Sequence, residues 1–234
     1  MLRTAPAPSN ATAPDQNRIR RKSVSTVELI RNEVAQPFAF PHSSALPADE
    51  LSIEVLPTAE SRRTIEPLRR FADFGSEYEL DPGMADLEER KDELGIVMAI
   101  SRYRETIATI RFIPTGHGLT LTERFWGHSI SDPEILGAGS WEVGRLVMAP
   151  EQRTSDLLPR CMSMSLRELL RTAHVRHFHA SCLVRMTRLY RRFGFGTHCV
   201  FEGAGKECAL IHGPVERVAV ALKVPLEGQF TMLQ

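Results

Sequence analysis

Between Leu51 and Gly213 the spacing of hydrophobic and polar positions changes several times, and each change predicts an element. "LSIEVL" (51–56) alternates and predicts a strand. Residues 59–80 carry Ile65, Leu68, Phe71 and Phe74 at helical spacing, with Pro67 inside the run, so the helix starts near that proline or kinks there. A short charged helix is predicted over "MADLEERKDEL" (84–94). "GIVMAIS" (95–101) and "ETIATIRFIP" (105–114) then predict a hairpin turning through "RYR". Glycine and proline punctuate 115–139, which predicts loop with room for one short strand. "SWEVGRLVMA" (140–149) is the next strand. A long helix follows over 155–175, with Leu158, Met162, Leu166, Leu169 and Leu170 along one face. "HFHASCL" (177–183) predicts a strand, "VRMTRLYRRFGF" (184–195) a short helix stopping at Gly194, and "THCVFEG" with "ECALIHG" a closing strand pair. The order strand, helices, strands, helix, strand, helix, strands predicts an α/β domain with a mixed sheet.

Residues 1–48 differ. They are rich in Ala, Pro, Ser, Asn and Thr without periodic hydrophobics, so burial cannot recover their ordering entropy, and a disordered tail is expected before a domain spanning 49–234. A short helix over "STVELIRNEVAQPF" is compatible with that tail. Its basic run Arg18–Lys22 reads as a solvated stretch, with an acidic partner, a membrane surface or a transit peptide as alternatives. Over the whole chain Lys plus Arg equals Asp plus Glu at 29 each, so no basic excess points to nucleic acid. Cys161, Cys182, Cys199 and Cys208 lack CxxC spacing, which favours reduced thiols and a cytoplasmic location. No apolar run approaches the roughly 18 residues of a membrane span.

One strand is chemically odd. A strand that only fills a core has little use for Glu142 and Arg145 three residues apart, ahead of a proline-led turn containing Arg153. Glycine-rich GxGxxG and GxxxxGK[ST] loops are missing, which weighs against Rossmann and P-loop nucleotide enzymes. His177 and His179 share a strand face, but without a third ligand they read as packing residues rather than a metal pair, so no metal is expected.

The strand "WEVGRLVMAPEQR", a helix, a strand and then "MTRLYRRFGF" resemble the core of the GNAT acyltransferases, and within them the acyl-homoserine-lactone (autoinducer) synthases and N-acyl amino acid synthases. Those families carry an aromatic residue, two acidic residues three apart, an Arg ending the second hairpin strand, and E-x-x-R on the central strand. Tyr78, Glu89 and Asp92, Arg111, and Glu142 with Arg145 match in that order. Two departures accompany the match: Glu and Tyr stand where Asp and Trp are usual, and the coenzyme A pyrophosphate loop is half present, Arg153 being followed by no glycine.

The resemblance implies a mostly antiparallel sheet flanked by helices, and an N-acyltransferase moving a fatty acyl group from acyl carrier protein, or acyl-CoA, to the amine of an amino acid or similar small molecule. No tightly bound cofactor is implied. Glu142 would be the base, the alternative being an ion pair with Arg145 or Arg111. Tyr190 would protonate the leaving thiolate, the alternative being a core aromatic with a wet tip. Arg111, Arg145, Glu89, Asp92, Tyr78 and Trp126 would hold the acceptor, the planar guanidinium suiting a carboxylate. Leu146, Val147 and Met148 would present backbone to a pantetheine arm, with Arg153, Thr154 and Ser155 at its phosphate and Arg153, Arg160 and Arg167 facing the carrier protein. Phe112, Phe125, Trp126, Met148, Met162 and Met164 line an acyl tunnel or are plain core. A coenzyme-A-dependent acetyltransferase and a non-catalytic binding module on the same fold are the other readings.

Overall fold

A computed structural model describes residues 51–226 except 73, 155 and 204; the expected N-terminal tail and its helix lie outside them. Seven strands form one sheet: β1 (Leu51–Val55), β2 (Ile96–Arg102), β3 (Glu105–Pro114), β4 (Ser140–Met148), β5 (His177–Leu183), β6 (Gly196–Gly203) and β7 (Lys206–Pro214), in the order β1-β2-β3-β4-β5-β7-β6. All neighbours are antiparallel except β4 and β5, which run parallel. That parallel pairing covers only Ser140–Glu142 against His177–His179. From Val143 onward the β5-facing edge of β4 has no ladder partner among the described residues, so the two strands part directly after Glu142.

Side-chain alternation divides the sheet into two faces. On one, Met98, Ile110, Phe112, Val143, Phe178, Ala180 and Ile211 pack beneath α5 (Leu157–Thr172) and α7 (Val215–Leu222). This is the main core. The amphipathic face expected of α5 is the one buried, through Met162, Leu166 and Leu169. The other face is shared by two coverings. Short helices α1 (Ala59–Arg62), α2 (Glu66–Arg69), α3 (Gly75–Leu80) and α4 (Glu88–Leu94) lie on the β1–β4 half, and the 115–139 segment lies on the β5–β7 half. Glu142 sits where the two coverings meet.

Three local readings are corrected. The helix read over 59–80 is broken: α1 passes into a 3₁₀ turn at Arg63–Ile65, Pro67 sits in the first turn of α2, and α3 starts afresh at Gly75. Pro67 has no amide hydrogen to continue an earlier helix, and Ile65 and Leu68 are buried whereas Phe71 is 58% exposed. The 115–139 segment holds no strand; it winds through a π turn at Thr122–Trp126 and 3₁₀ turns at Gly127–Ser129 and Pro133–Leu136. Finally, α7 was not read from the sequence, although Val215, Val218, Ala219 and Leu222 stand at helical spacing and are all buried. The 184–195 stretch is a 3₁₀ turn at Val184–Met186 followed by α6 (Thr187–Arg191), with Gly194 at φ +91° beyond it.

β3 and β4 slip register between Thr109↔Val147 and Arg111↔Gly144, so Arg145 and Leu146 together oppose Ile110. Arg145 is held left-handed at φ +51°, a costly backbone state for a side chain of that size.

Candidate active site

Glu142 is buried and points at the first turn of the Thr122–Trp126 segment. Its Oε2 accepts the Thr122 amide and the Thr122 hydroxyl, both at 2.9 Å, and Oε1 accepts the Leu121 amide at 3.3 Å. Burial pushes its carboxyl above the usual range, while the Thr122 donors pull the other way. Neither Arg111 nor Arg145 pairs with it, so the ion-pair alternative is replaced by capture of a turn. Behind Thr122 lies His179, wholly buried, with Nδ1 2.8 Å from the Thr122 hydroxyl and Nε2 2.8 Å from the Thr115 hydroxyl. Burial lowers its pKa to about 3, so the imidazole is neutral. His177 instead stacks on His212, Nδ1 and Nε2 3.2 Å apart. Among the described residues no group of three or more His, Cys, Asp or Glu is arranged to hold a metal.

Arg111 and Arg145 lie on the same sheet face but in a network of their own. Arg111 donates to Asp92 at 2.6 Å and to Glu88 at 3.1 Å. Arg145 donates to Glu88 at 2.8 Å and Glu77 at 2.9 Å, its guanidinium 3.6 Å from the centre of the Phe74 ring. Arg69 forks onto Asp92, and Lys91 donates to Glu88 at 2.9 Å. Glu88 is held well below the usual carboxylate range: burial opposes ionisation, and Arg111, Arg145 and Lys91 together overcome it. Asp92 is lowered by Arg69 and Arg111 against the same desolvation. The arginines expected to hold a substrate are therefore already paired within the protein. Four cations, Arg69, Lys91, Arg111 and Arg145, face three carboxylates, Glu77, Glu88 and Asp92. Above them opens a cleft of about 330 Å³ lined by Glu66, Arg69, Arg70, Phe74, Tyr78, Glu88 and Arg145. Tyr78 lies in this cleft, its phenol raised by burial.

Two of the residues expected to hold an acceptor lie away from the arginine network. Glu89 is exposed on the outside of α4, and Glu88, one residue earlier, faces the arginines. Position 88 is three and four residues before the buried Lys91 and Asp92, so the inward face of the helix selects it. Trp126 is buried over the other half of the sheet, its indole donating to Ser181 at 2.6 Å among Phe125 and Phe201. It is remote in the fold from the arginine network.

Leu146, Val147 and Met148 lie where β4 pairs with β3 but has no ladder partner on its β5-facing edge, with the Val147 and Met148 side chains buried. Arg153 is exposed and donates to the Met148 carbonyl at 3.1 Å. Thr154 is exposed, and Ser155 lies outside the described residues. Asp156 stands at the N-terminus of α5, its carboxyl held low first by a hydrogen bond from Thr154. Tyr190 is edge-on to Phe193 and Phe195, and burial pushes its phenol up to about 12, so it holds its proton at neutral pH. Phe112, Met148 and Met162 belong to the core beneath α5, where a small cavity opens between Phe112, Val143, Met162, Leu166 and Phe178; Phe125 and Trp126 lie on the opposite face.

Sequence reasoning missed Glu77, Glu88, Thr122 and Asp156, and gave His179 no polar role. Only Glu88 carried a local signal, its helical spacing from Asp92.

No protein-family model and no curated protein sequence matches this chain; the likeness lies in three dimensions. The structure is similar to FeeM, an N-acyl amino acid synthase from uncultured soil microbes, with TM-score 0.56, 15% identity, and coverage of 71% of this chain and 92% of that one. An uncharacterized protein from Bacillus halodurans is similar with TM-score 0.52, 10% identity and coverage of 74% and 88%. The AHL synthase LasI aligns with TM-score 0.47, 14% identity and coverage of 76% and 98%. The chain has the GNAT fold, a mixed, mostly antiparallel sheet with flanking helices.

Proposed function

We propose that this GNAT-fold chain is an N-acyltransferase that moves a fatty acyl group from an acyl carrier protein thioester to the amine of an amino acid or a related small molecule. The observation that carries the reading is the parting of β4 and β5 directly after Glu142, which leaves β4 backbone unpaired beside a buried carboxyl. A pantetheine arm extended along 146–148 meets the β5-facing edge of β4, which has no ladder partner there, although the Met148 carbonyl is taken by Arg153. The apolar cavity beneath α5 has room for about one water, about 10 Å³, so an acyl chain enters it only if Phe112, Met162 and Leu166 give way. The acceptor ammonium gives one proton to the Glu142 carboxylate. The freed amine attacks the thioester carbonyl carbon, and the C–S bond breaks as the carbonyl re-forms. The leaving thiolate takes a proton from Glu142 or from the Tyr190 phenol, the second proton of the acylated nitrogen goes to the carboxylate or phenolate so left, and Glu142 releases one proton to solvent, which leaves a neutral amide and a thiol. The excess positive charge over Glu77, Glu88 and Asp92 suits an acceptor that carries its own carboxylate in the adjoining cleft.

FeeM is an N-acyl amino acid synthase, which supports the amino acid as acceptor. Asp156 supports the carrier protein as donor, because a carboxylate at the α5 N-terminus repels the phosphates that free coenzyme A would bring there. The test is mass spectrometry of lipids from cells expressing the chain, followed by purified enzyme with acyl carrier protein and acyl-CoA thioesters at equal concentration. New N-acyl amino acids, formed faster from the carrier protein, support the proposal. Acetylated small amines would mark a coenzyme-A-dependent acetyltransferase, and no product a binding module.

A further inference from the structure

Between Glu142 and the exposed stretch that begins at Gly116 run three short polar contacts that the acyl-transfer reading does not use. Glu142 Oε2 to Thr122 Oγ1 is 2.9 Å, Thr122 Oγ1 to His179 Nδ1 is 2.8 Å, and His179 Nε2 to Thr115 Oγ1 is 2.8 Å. Glu142 belongs to β4, His179 to β5 and both threonines to the segment leaving β3, so three parts of the fold converge on one line. Glu142 and His179 are the last aligned pair before β4 and β5 part.

We propose that His179 is a positioning residue for Glu142, acting through Thr122, and that the imidazole changes tautomer with the charge on the carboxyl. The reasoning is a count of protons. The Thr122 hydroxyl has one proton and lies within hydrogen-bond distance of two candidate acceptors, so it donates to one and must accept from the other. When Glu142 is ionised, the hydroxyl donates to it, His179 must donate from Nδ1, and bare Nε2 accepts from Thr115. When Glu142 is protonated, it donates to the Thr122 oxygen, the hydroxyl turns to a bare Nδ1, and Nε2–H donates to Thr115. Moving from the first state to the second takes up one proton at Thr115 and delivers one to Glu142, each intervening group passing on the proton it held. The charge balance is one proton in and one carboxylate neutralised. His179 thereby holds the Glu142 carboxyl in a single orientation and connects it with solvent from the side away from substrate.

Other charged groups bear on the two ends without joining the line. Glu77 of α3 and Lys91 of α4 act on Glu142, and Glu123 of the π turn and His212 of β7 act on His179. They shift the pH at which the change occurs but do not carry the proton.

The inference rests on Glu142 as the proton acceptor, yet its test needs no substrate. Nitrogen-15 NMR of the full chain follows the protonation of the two His179 nitrogens from about pH 4 to about 10, alongside the carbon-13 shift of the Glu142 carboxyl. The expected result is a neutral ring that passes from Nε2–H to Nδ1–H as the Glu142 carboxyl titrates. Glu142→Gln removes the titrating carboxyl, so the ring should keep a single tautomer throughout: Nδ1–H where the amide oxygen faces the Thr122 hydroxyl, Nε2–H where the amide nitrogen does. Thr122→Val should uncouple ring from carboxyl, and Thr122→Ser should restore the coupling, which separates loss of the hydroxyl from a packing defect. A ring that keeps one tautomer over the range, or changes it alike in wild type and Thr122→Val, overturns the proposal even if acyl transfer is established. A coupled ring in a protein without transferase activity would retain it and overturn only the functional reading.

Discussion

Replacing Glu142 by Gln keeps an acceptor oxygen for the Thr122 amide and removes the group that takes a proton. The expected outcome is a melting temperature near that of wild type with a rate lowered by about 10²–10⁴-fold, the contribution typical of a general base, and a deficit that shrinks as pH rises and more amine is already neutral. Full activity at neutral pH would remove Glu142 from the mechanism. Glu88 titrates in the opposite sense. Its folded pKa lies below the unfolded value because Arg111, Arg145 and Lys91 outweigh burial, so its contribution to stability is present above about pH 4, where the unfolded carboxylate is ionised, and is lost as pH falls through the folded value. Asp92 acts in the same direction. Glu88→Gln should therefore flatten the acid limb of a stability-against-pH curve from urea unfolding, while lowering stability at pH 7 by about 3–5 kcal/mol for leaving buried guanidinium charge uncompensated. An unchanged acid limb would show that the network is not what acid dissolves.

The β4 bulge sets two effects against each other. Arg145 pays a backbone cost of about 1–3 kcal/mol for its left-handed conformation, and in return its guanidinium reaches Glu77 and Glu88. Arg145→Gly relieves the first, takes from Glu77 its guanidinium and leaves Glu88 only Arg111 and Lys91, a loss of about 3–5 kcal/mol when one partner of a buried pair is removed. The second is larger. Urea unfolding should show net destabilisation of about 2 kcal/mol, and Arg145→Lys, which keeps charge but not the planar fork, should fall between. A Gly variant more stable than wild type would mean that strain, not pairing, dominates the bulge. The same slip lies three residues beyond Glu142, where the β4–β5 ladder ends, and aims the arginine inward.

For the molecule as a whole, the donor test has an electrostatic side. Arg153, Arg160 and Arg167 lie at or on the helix that follows β4, and a carrier protein is acidic, so the rate with carrier protein should fall as salt rises past the roughly 0.1 M at which screening lengths reach about 10 Å. Asp156→Ala should improve the use of acyl-CoA relative to carrier protein, read as a change in the ratio of kcat/KM values. A salt-independent rate and an unmoved ratio would sink carrier-protein docking at this end of the sheet. The hairpin β2–β3, the polar central strand and the long helix α5 were legible in the sequence because each depends on a period of two or 3.6 residues and on nearby turn signals. Glu142 and Arg145 were singled out as polar residues on a core strand, and Arg111 and Asp92 because their order resembles that of a known family. The partners of those residues were not legible. Glu142 meets Thr122 and His179 across intervals of 20 and 37 positions, and Arg145 meets Glu77 across 68, distances that no local pattern encodes. Local sterics and amphipathic burial act over a few residues, so the stretches that become strands and helices, and the residue types on β4, follow from the order of amino acids alone. That both arginines are spent on internal carboxylates, that Glu88 rather than Glu89 faces them, and that Glu142 leans on a turn and a histidine follow from packing, because burial in a shared interior forces each charge and donor to find whichever partner the sheet brings within reach.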